Sequence, residues 1–194
     1  NLEAKGRLSN NAVVTKEVQL MMDPNADPYA MPEDDGSEPE KFGASEVTDL
    51  NWVQLMNAYT CTECGRCTSV CPANQTGKEL SPRAIMMKTR DRLEEVGKFI
   101  DDKDEATFKE PGDGKSLLSY ISEEEIWACT SCNACVTECP VAIDPLSIII
   151  DLRRYLVMEN SAGPQELNVM MSNIENNGAP WPYNQMDRLN WKDE

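Results

Sequence analysis

Eight cysteines are the residues of this 194-residue chain most able to do chemistry, and all of them fall in two runs of one form. Cys61, Cys64, Cys67 and Cys71 precede Pro72, and Cys129, Cys132, Cys135 and Cys139 precede Pro140, so each run reads CxxCxxCxxxCP. Disulfides fit poorly, because neighbours in a CxxC step pair with difficulty and six further thiols would still need partners. A structural zinc site needs two cysteine pairs separated by a longer insert of about 12–20 residues, and here three cysteines share one short loop. The spacing suits an iron–sulfur cube instead: three thiolates two residues apart can wrap three corners, leaving the fourth to a ligand from elsewhere. The chain has no histidine, so the commonest general base and nitrogen ligand are both missing.

The fourth cysteine of each run stands three residues on, and the proline after it turns the chain away from the local loop. In two-cluster ferredoxins the cysteine at this place ligates the other cluster. The expected ligand sets are therefore Cys61, Cys64, Cys67 and Cys139 for one [4Fe–4S] cluster, and Cys129, Cys132, Cys135 and Cys71 for a second. Crossed ligands would hold two cubes close enough to exchange electrons. Complete coordination by cysteine leaves no open iron for a substrate, so the pattern describes an electron relay with no catalytic site of its own.

Short helices are expected to deliver the chain into each run. Leu50, Trp52, Leu55, Met56 and Tyr59 fall near helical spacing behind Thr48 or Asp49 as cap, and lead into Cys61. Ser122 with Glu125 makes a capping-box pattern before Ile126 and Trp127, leading into Cys129. After the first run, Ser81 and Pro82 start a helix to about Ile100 with Met86, Leu93, Val96 and Ile100 on one face. After the second, Asp144 and Pro145 start one that reaches about Asn160 through Leu146, Ile149, Leu152 and Leu156. Pro164 opens a last helix, with Leu167, Met170 or Met171, and Ile174 inward and Gly178 as its stop. Strand signals are almost absent, so the fold class is mainly α: a helical ferredoxin domain with two [4Fe–4S]-binding loops between extended N- and C-terminal tails. The divisions are 1–47, an extended acidic and Pro-rich segment; 48–160, the helical dicluster domain; and 161–194, a C-terminal helix and partner-binding tail. Residues 23–45 carry four prolines among acidic and small residues and read as a linker or a strap on a partner, and residues 101–116 as a surface loop.

Lys and Arg number 18 against 34 Asp and Glu, a net charge of −16, which argues against nucleic acid and anionic membrane surfaces as partners. Mean hydropathy is −0.52, and no apolar run approaches the roughly 18 residues of a membrane span, so the chain reads as soluble. It opens on Asn1 rather than Met, which leaves room for an upstream membrane anchor with Lys5 and Arg7 as its flank. Arg66, inside the first loop, and Arg83, at the start of the following helix, are cations that could raise a cluster potential. Asn133 stands in the second run about where Gly65 and Arg66 stand in the first, so the two sites are expected to differ in potential. Trp181 and Trp191 are candidate partner anchors.

The stretches TCTECGRCTSVCPA, LSPR, ACTSCNACVTECPVAIDP and NNGAPW resemble the dicluster ferredoxin module of the heterodisulfide reductase C-subunit family, over residues 48–194. The long helical insert between the runs fits that module better than a small bacterial ferredoxin. The iron–sulfur subunit of succinate dehydrogenase or fumarate reductase is a similar alternative, but its plant-type CxxxxCxxC site has no counterpart here. A free dicluster ferredoxin is the other alternative. The resemblance implies an electron-transfer subunit working between a flavoprotein, quinone or membrane redox donor and a CCG-domain partner. A reducing cytoplasm fits oxygen-sensitive clusters and free thiolates, and the inner face of the cytoplasmic membrane within a complex fits equally well.

Overall fold

The computed structural model describes residues 5–6, 10–25, 41–101 and 112–192. Most of the expected linker at 23–45, the middle of the 101–116 loop and Arg7 lie outside them. The chain divides into two compact units, residues 1–159 and 160–194. Among the described residues every regular element is helical.

The first unit opens with α1, Ala12–Met22, whose N-terminus is closed by Asn11 accepting from the Val13 amide at 2.9 Å. No residue of α1 is buried, and the helix lies within the N-terminal segment expected to be extended. Residues 41–47, assigned from the sequence to the N-terminal segment, bury Ala44 and Val47. They are stitched to the domain by backbone and side chain alike. The Ala44 amide donates to Asp151 O at 3.0 Å, the Leu117 amide to Ser45 O at 3.0 Å, and the Phe42 amide to Glu159 at 2.7 Å. A Cβ on Gly43 would stand 2.2 Å from Tyr155 N and 2.5 Å from Asp151 O. Only glycine lets the two backbones approach this closely.

Helix α2, Trp52–Thr60, enters the first cysteine run, but its cap is Asn51, with Gln54 reciprocating, rather than Thr48 or Asp49. Its inward face also differs from the expected one. Trp52, Met56 and Tyr59 are exposed, while Gln54, Asn57 and Ala58 are buried. The polar pair can turn inward because Gln54 Nε2 donates to Asp151 at 2.6 Å and Asn57 accepts from Lys5 Nζ at 2.9 Å. Satisfied in this way, they avoid the penalty of an unpaired buried amide.

The first run contains the short helices α3, Arg66–Ser69, and α4, Pro72–Gln75, and is followed by α5, Pro82–Asp101. The second contains α7, Ala134–Thr137, between α6, Glu123–Ala128, and α8, Pro145–Arg154, which continues as a π-helical turn over Tyr155–Glu159. Local signals explain these boundaries: Ser122 and Glu125 close the expected capping box, and Asp144 accepts from the Ser147 amide at 3.1 Å with Pro145 in the first helical position. Helices α2, α5 and α8 pack on one another, α6 packs on α8, and α3 packs on α7. Their core holds Ile85, Met86, Val96, Ile126, Leu146, Ile149 and Leu152.

Inside α5, Arg92 takes a core place the sequence had given to Leu93. It is completely buried and donates to Glu46 at 2.6 Å, to Asp113 at 2.6 Å and to Lys115 O at 2.9 Å. One guanidinium thereby joins the segment before the first cysteine run to the loop before the second.

The second unit holds α9, Gln165–Asn177, which begins after Pro164 and ends on left-handed Gly178 as expected. Its apolar stripe is not inward: no residue of α9 is buried, and Met171 and Ile174 are exposed.

Candidate functional site

The two cysteine runs share one backbone plan. Cys61 and Cys129 each end the preceding helix in extended conformation. Two residues later Glu63 (φ 56°) and Ser131 (φ 54°) are left-handed, and two residues after those so are Gly65 (φ 78°) and Asn133 (φ 61°). Gly65 and Asn133 then cap α3 and α7. Alternating handedness turns successive amides to one side and forms a concavity suited to an anionic group, the kind of nest found at phosphate and Fe–S sites. For the three non-glycine residues the conformation costs roughly 1–2 kcal/mol each. Asn133 is held there by donating its amide to Gly6 O at 2.8 Å, while the Gly6 amide donates to Asp144 at 3.1 Å.

Two cavities lie against these loops. The first is lined by Cys61, Cys64, Cys67, Cys135 and Cys139, with Met86, Val141, Ile143 and Pro145 among its apolar walls. The second is lined by Cys71, Cys129, Cys132 and Cys135, with Leu80, Pro82, Leu146 and Ile149. Each cavity thus takes sulfurs from both runs. Cys139 joins Cys61, Cys64 and Cys67, and Cys71 joins Cys129 and Cys132, while Cys135 borders both. The walls repeat the same symmetry, since α5 and α8 both send residues into each cavity.

All eight cysteines are free thiols. Cys71 is buried, Cys64 and Cys132 are exposed, and the other five are intermediate. Burial pushes the Cys67 and Cys129 thiols up, and pushes Cys135 up to about 12. Cys132 moves the other way, because the Ala134 backbone amide stabilises its thiolate. Neutral thiols at the buried positions must lose their protons when metal binds, so loading of these cavities releases protons. Sulfur donors, amide-lined loops and apolar walls together suit cubane iron–sulfur clusters.

Of the other residues singled out from the sequence, Arg83 borders the first cavity and is exposed, and Arg66 is exposed on α3. Trp181 and Trp191 are exposed in the second unit. Sequence reasoning missed Arg153, although it occupies in α8 the place Arg90 occupies in α5, counted from the proline that opens each helix. Arg153 donates to Ile126 O at 2.8 Å and to Cys129 O at 2.5 Å, and its guanidinium carbon lies 5.1 Å from the centre of the Trp127 ring. It closes the carbonyl end of α6 where the second run begins.

Residues 60–143 match the 4Fe-4S dicluster domain family. The chain is 38% identical over 181 residues to the Bacillus subtilis protein named "Probable iron-sulfur-binding oxidoreductase FadF", covering 80% of this chain and 26% of that one. It is 31% identical over 173 residues to the EtfAB:quinone oxidoreductase of Syntrophomonas wolfei, covering 81% of this chain and 24% of that one. Over 123 residues it is 26% identical to the C-subunit of the ferredoxin/F(420)H(2)-dependent CoB-CoM heterodisulfide reductase of Methanosarcina acetivorans, covering 63% of this chain and 60% of that one. The chain therefore spans about a quarter of the length of the first two relatives.

Proposed function

Because residues 60–143 form a 4Fe–4S dicluster domain, whose chemistry is electron transfer, we propose that this chain relays single electrons inside a larger oxidoreductase. Cys61, Cys64, Cys67 and Cys139 hold one cluster; Cys129, Cys132, Cys135 and Cys71 hold the other. The observation that carries the reading is that each cavity is lined by cysteines of both runs. When bound, the clusters supply one-electron oxidation and reduction without proton chemistry or an open iron site. The chain's own residues fix the distance between the two centres through the contact of α3 with α7. They also exclude water with the apolar walls and offer backbone amides from the left-handed loops.

The donor is a flavoprotein or a quinone-linked membrane protein, and the acceptor a CCG-type redox domain. Relatives named for quinone and heterodisulfide oxidoreductases support that pairing. The assembly works in the cytoplasm or at the inner face of the membrane through its partners. Among the described residues no helix is long and apolar enough to cross a membrane.

Anaerobic reconstitution tests the reading. It should load about eight irons per chain and give the electron paramagnetic resonance spectrum of two interacting reduced centres. Tightly bound zinc with no iron would overturn it.

A further inference from the structure

Two arginines in matching helical positions have been given different counter-charges. Arg90 of α5 donates to the carboxylate of Glu63 at 2.8 Å, with Asp91 at 3.5 Å. Glu63 borders the first cavity, so the cation there arrives together with its anion. Arg153 of α8 spends its donors on the carbonyls of Ile126, Trp127 and Cys129, and no carboxylate among the described residues pairs with it. Its positive charge is half-buried and uncompensated, and it stands against Cys129, which borders the second cavity alone.

We infer that Arg153 is a positioning residue that gives the cluster site of Cys129, Cys132, Cys135 and Cys71 the higher reduction potential of the two. The inference rests on the two-cluster reading above. A fixed cation favours the reduced, more negative state of a neighbouring redox group, and does so more strongly away from water. Three other charges could oppose this ordering, and all are weaker in place. Arg83 borders the first cavity and Arg66 precedes Cys67 on α3, but both are exposed, so solvent screens them. Asp144 faces Cys135, but its carboxylate is occupied by the Gly6 and Ser147 amides, and Cys135 borders both cavities, so its field falls on both. In protein reduced by a single electron from dithionite, that electron then rests on the Cys129 side.

The test is a potentiometric titration followed by electron paramagnetic resonance on reconstituted full chain. R153Q should shift the upper of two midpoints downward and leave the lower in place, whereas R153K, which keeps the charge but not the forked geometry, should leave both near wild type. E63Q, at an exposed side chain, should raise the lower midpoint by removing the anion that offsets Arg90. In Cys139→Ser, the one midpoint that remains should be the upper one.

Movement of the lower midpoint in R153Q would overturn the inference. So would an equal shift in R153K and R153Q, which marks a purely structural role. If R153Q takes up no iron, E63Q and R153K decide: an unmoved lower midpoint in E63Q refutes the charge asymmetry. Wild-type protein holding fewer than two clusters would instead defeat the underlying reading.

Discussion

Replacing Arg92 by methionine is the most informative single change to the fold. The guanidinium is completely buried and meets Glu46, 8% exposed, through Nε at 3.0 Å and Nη2 at 2.6 Å. Methionine fills much of the volume and supplies no charge, so the Glu46 carboxyl loses its cationic partner in the core. Removing one partner of a buried ion pair costs about 3–5 kcal/mol, most of it from the charge left behind. At about 2–4 °C per kcal/mol for a domain of this size, the thermal midpoint should fall by roughly 6–20 °C. The companion variant R92M/E46Q removes the stranded charge while keeping an oxygen that can accept from the Val47 amide, as Glu46 does at 2.8 Å. It should recover a large part of the loss. The assay is anaerobic urea denaturation of reconstituted protein, followed by far-ultraviolet circular dichroism. A cost below about 1 kcal/mol for R92M, or a double variant no more stable than the single one, would refute the view that this pair locks the segment before the first cysteine run to the loop before the second.

Cys139→Ser should remove the cluster associated with Cys61, Cys64 and Cys67, lowering iron from about eight to about four per chain; loss of the Cys129 centre alone would contradict crossed ligation. Gly43→Ala should destabilise the first unit by about 1–3 kcal/mol or more, because the three atoms nearest the new Cβ are backbone atoms of Asp151 and Tyr155; an unchanged urea midpoint would count against the close approach. The Arg92 guanidinium beside Asp113 holds its carboxyl down at about 2, from an ordinary value of 3.8. The folded state therefore binds fewer protons than the unfolded one between these values, and this contribution, present above about pH 4, should disappear as pH falls toward 2. Asp113→Asn should flatten that part of the acid-denaturation curve.

Helix boundaries were legible where the signal was local. Pro82, the Ser122 and Glu125 box, Asp144 before Pro145, and Gly178 each act within one turn of chain, and each marks a real terminus. Asn11 is an equally local signal for α1, a helix with no buried residue. Burial was less legible. The apolar spacing of Trp52, Met56 and Tyr59 suggested a core face, yet Gln54 and Asn57 turn inward because Asp151 and Lys5 wait for them across the sequence. Arg92 is the same case: its place depends on Glu46 and Asp113, which only the fold brings near. At the site, CxxCxxC identifies the donors and their chemistry, since those lie in one loop. Arg66 and Arg83 were visible as nearby cations, but the contrast between Arg90 and Arg153 was not, because those two differ in partner rather than in spacing.

The sharing of each cavity between the two runs sets an order of events during synthesis. Cys61, Cys64 and Cys67 leave the ribosome first, but the walls and sulfur that complete their cavity, Cys139, Ile143 and Pro145 among them, come from much later in the chain. At about 5–20 residues per second the first run waits on the order of several seconds as open thiols, with neither enclosure finished. Metal delivered in that interval would meet a half-site in a flexible loop, exposed to oxidants and to competing ions such as zinc. On the crossed ligation proposed above, neither cluster can gain its full set of sulfurs until the second run has emerged, and yield should depend on whether the nascent first run is kept reduced and metal-free until then.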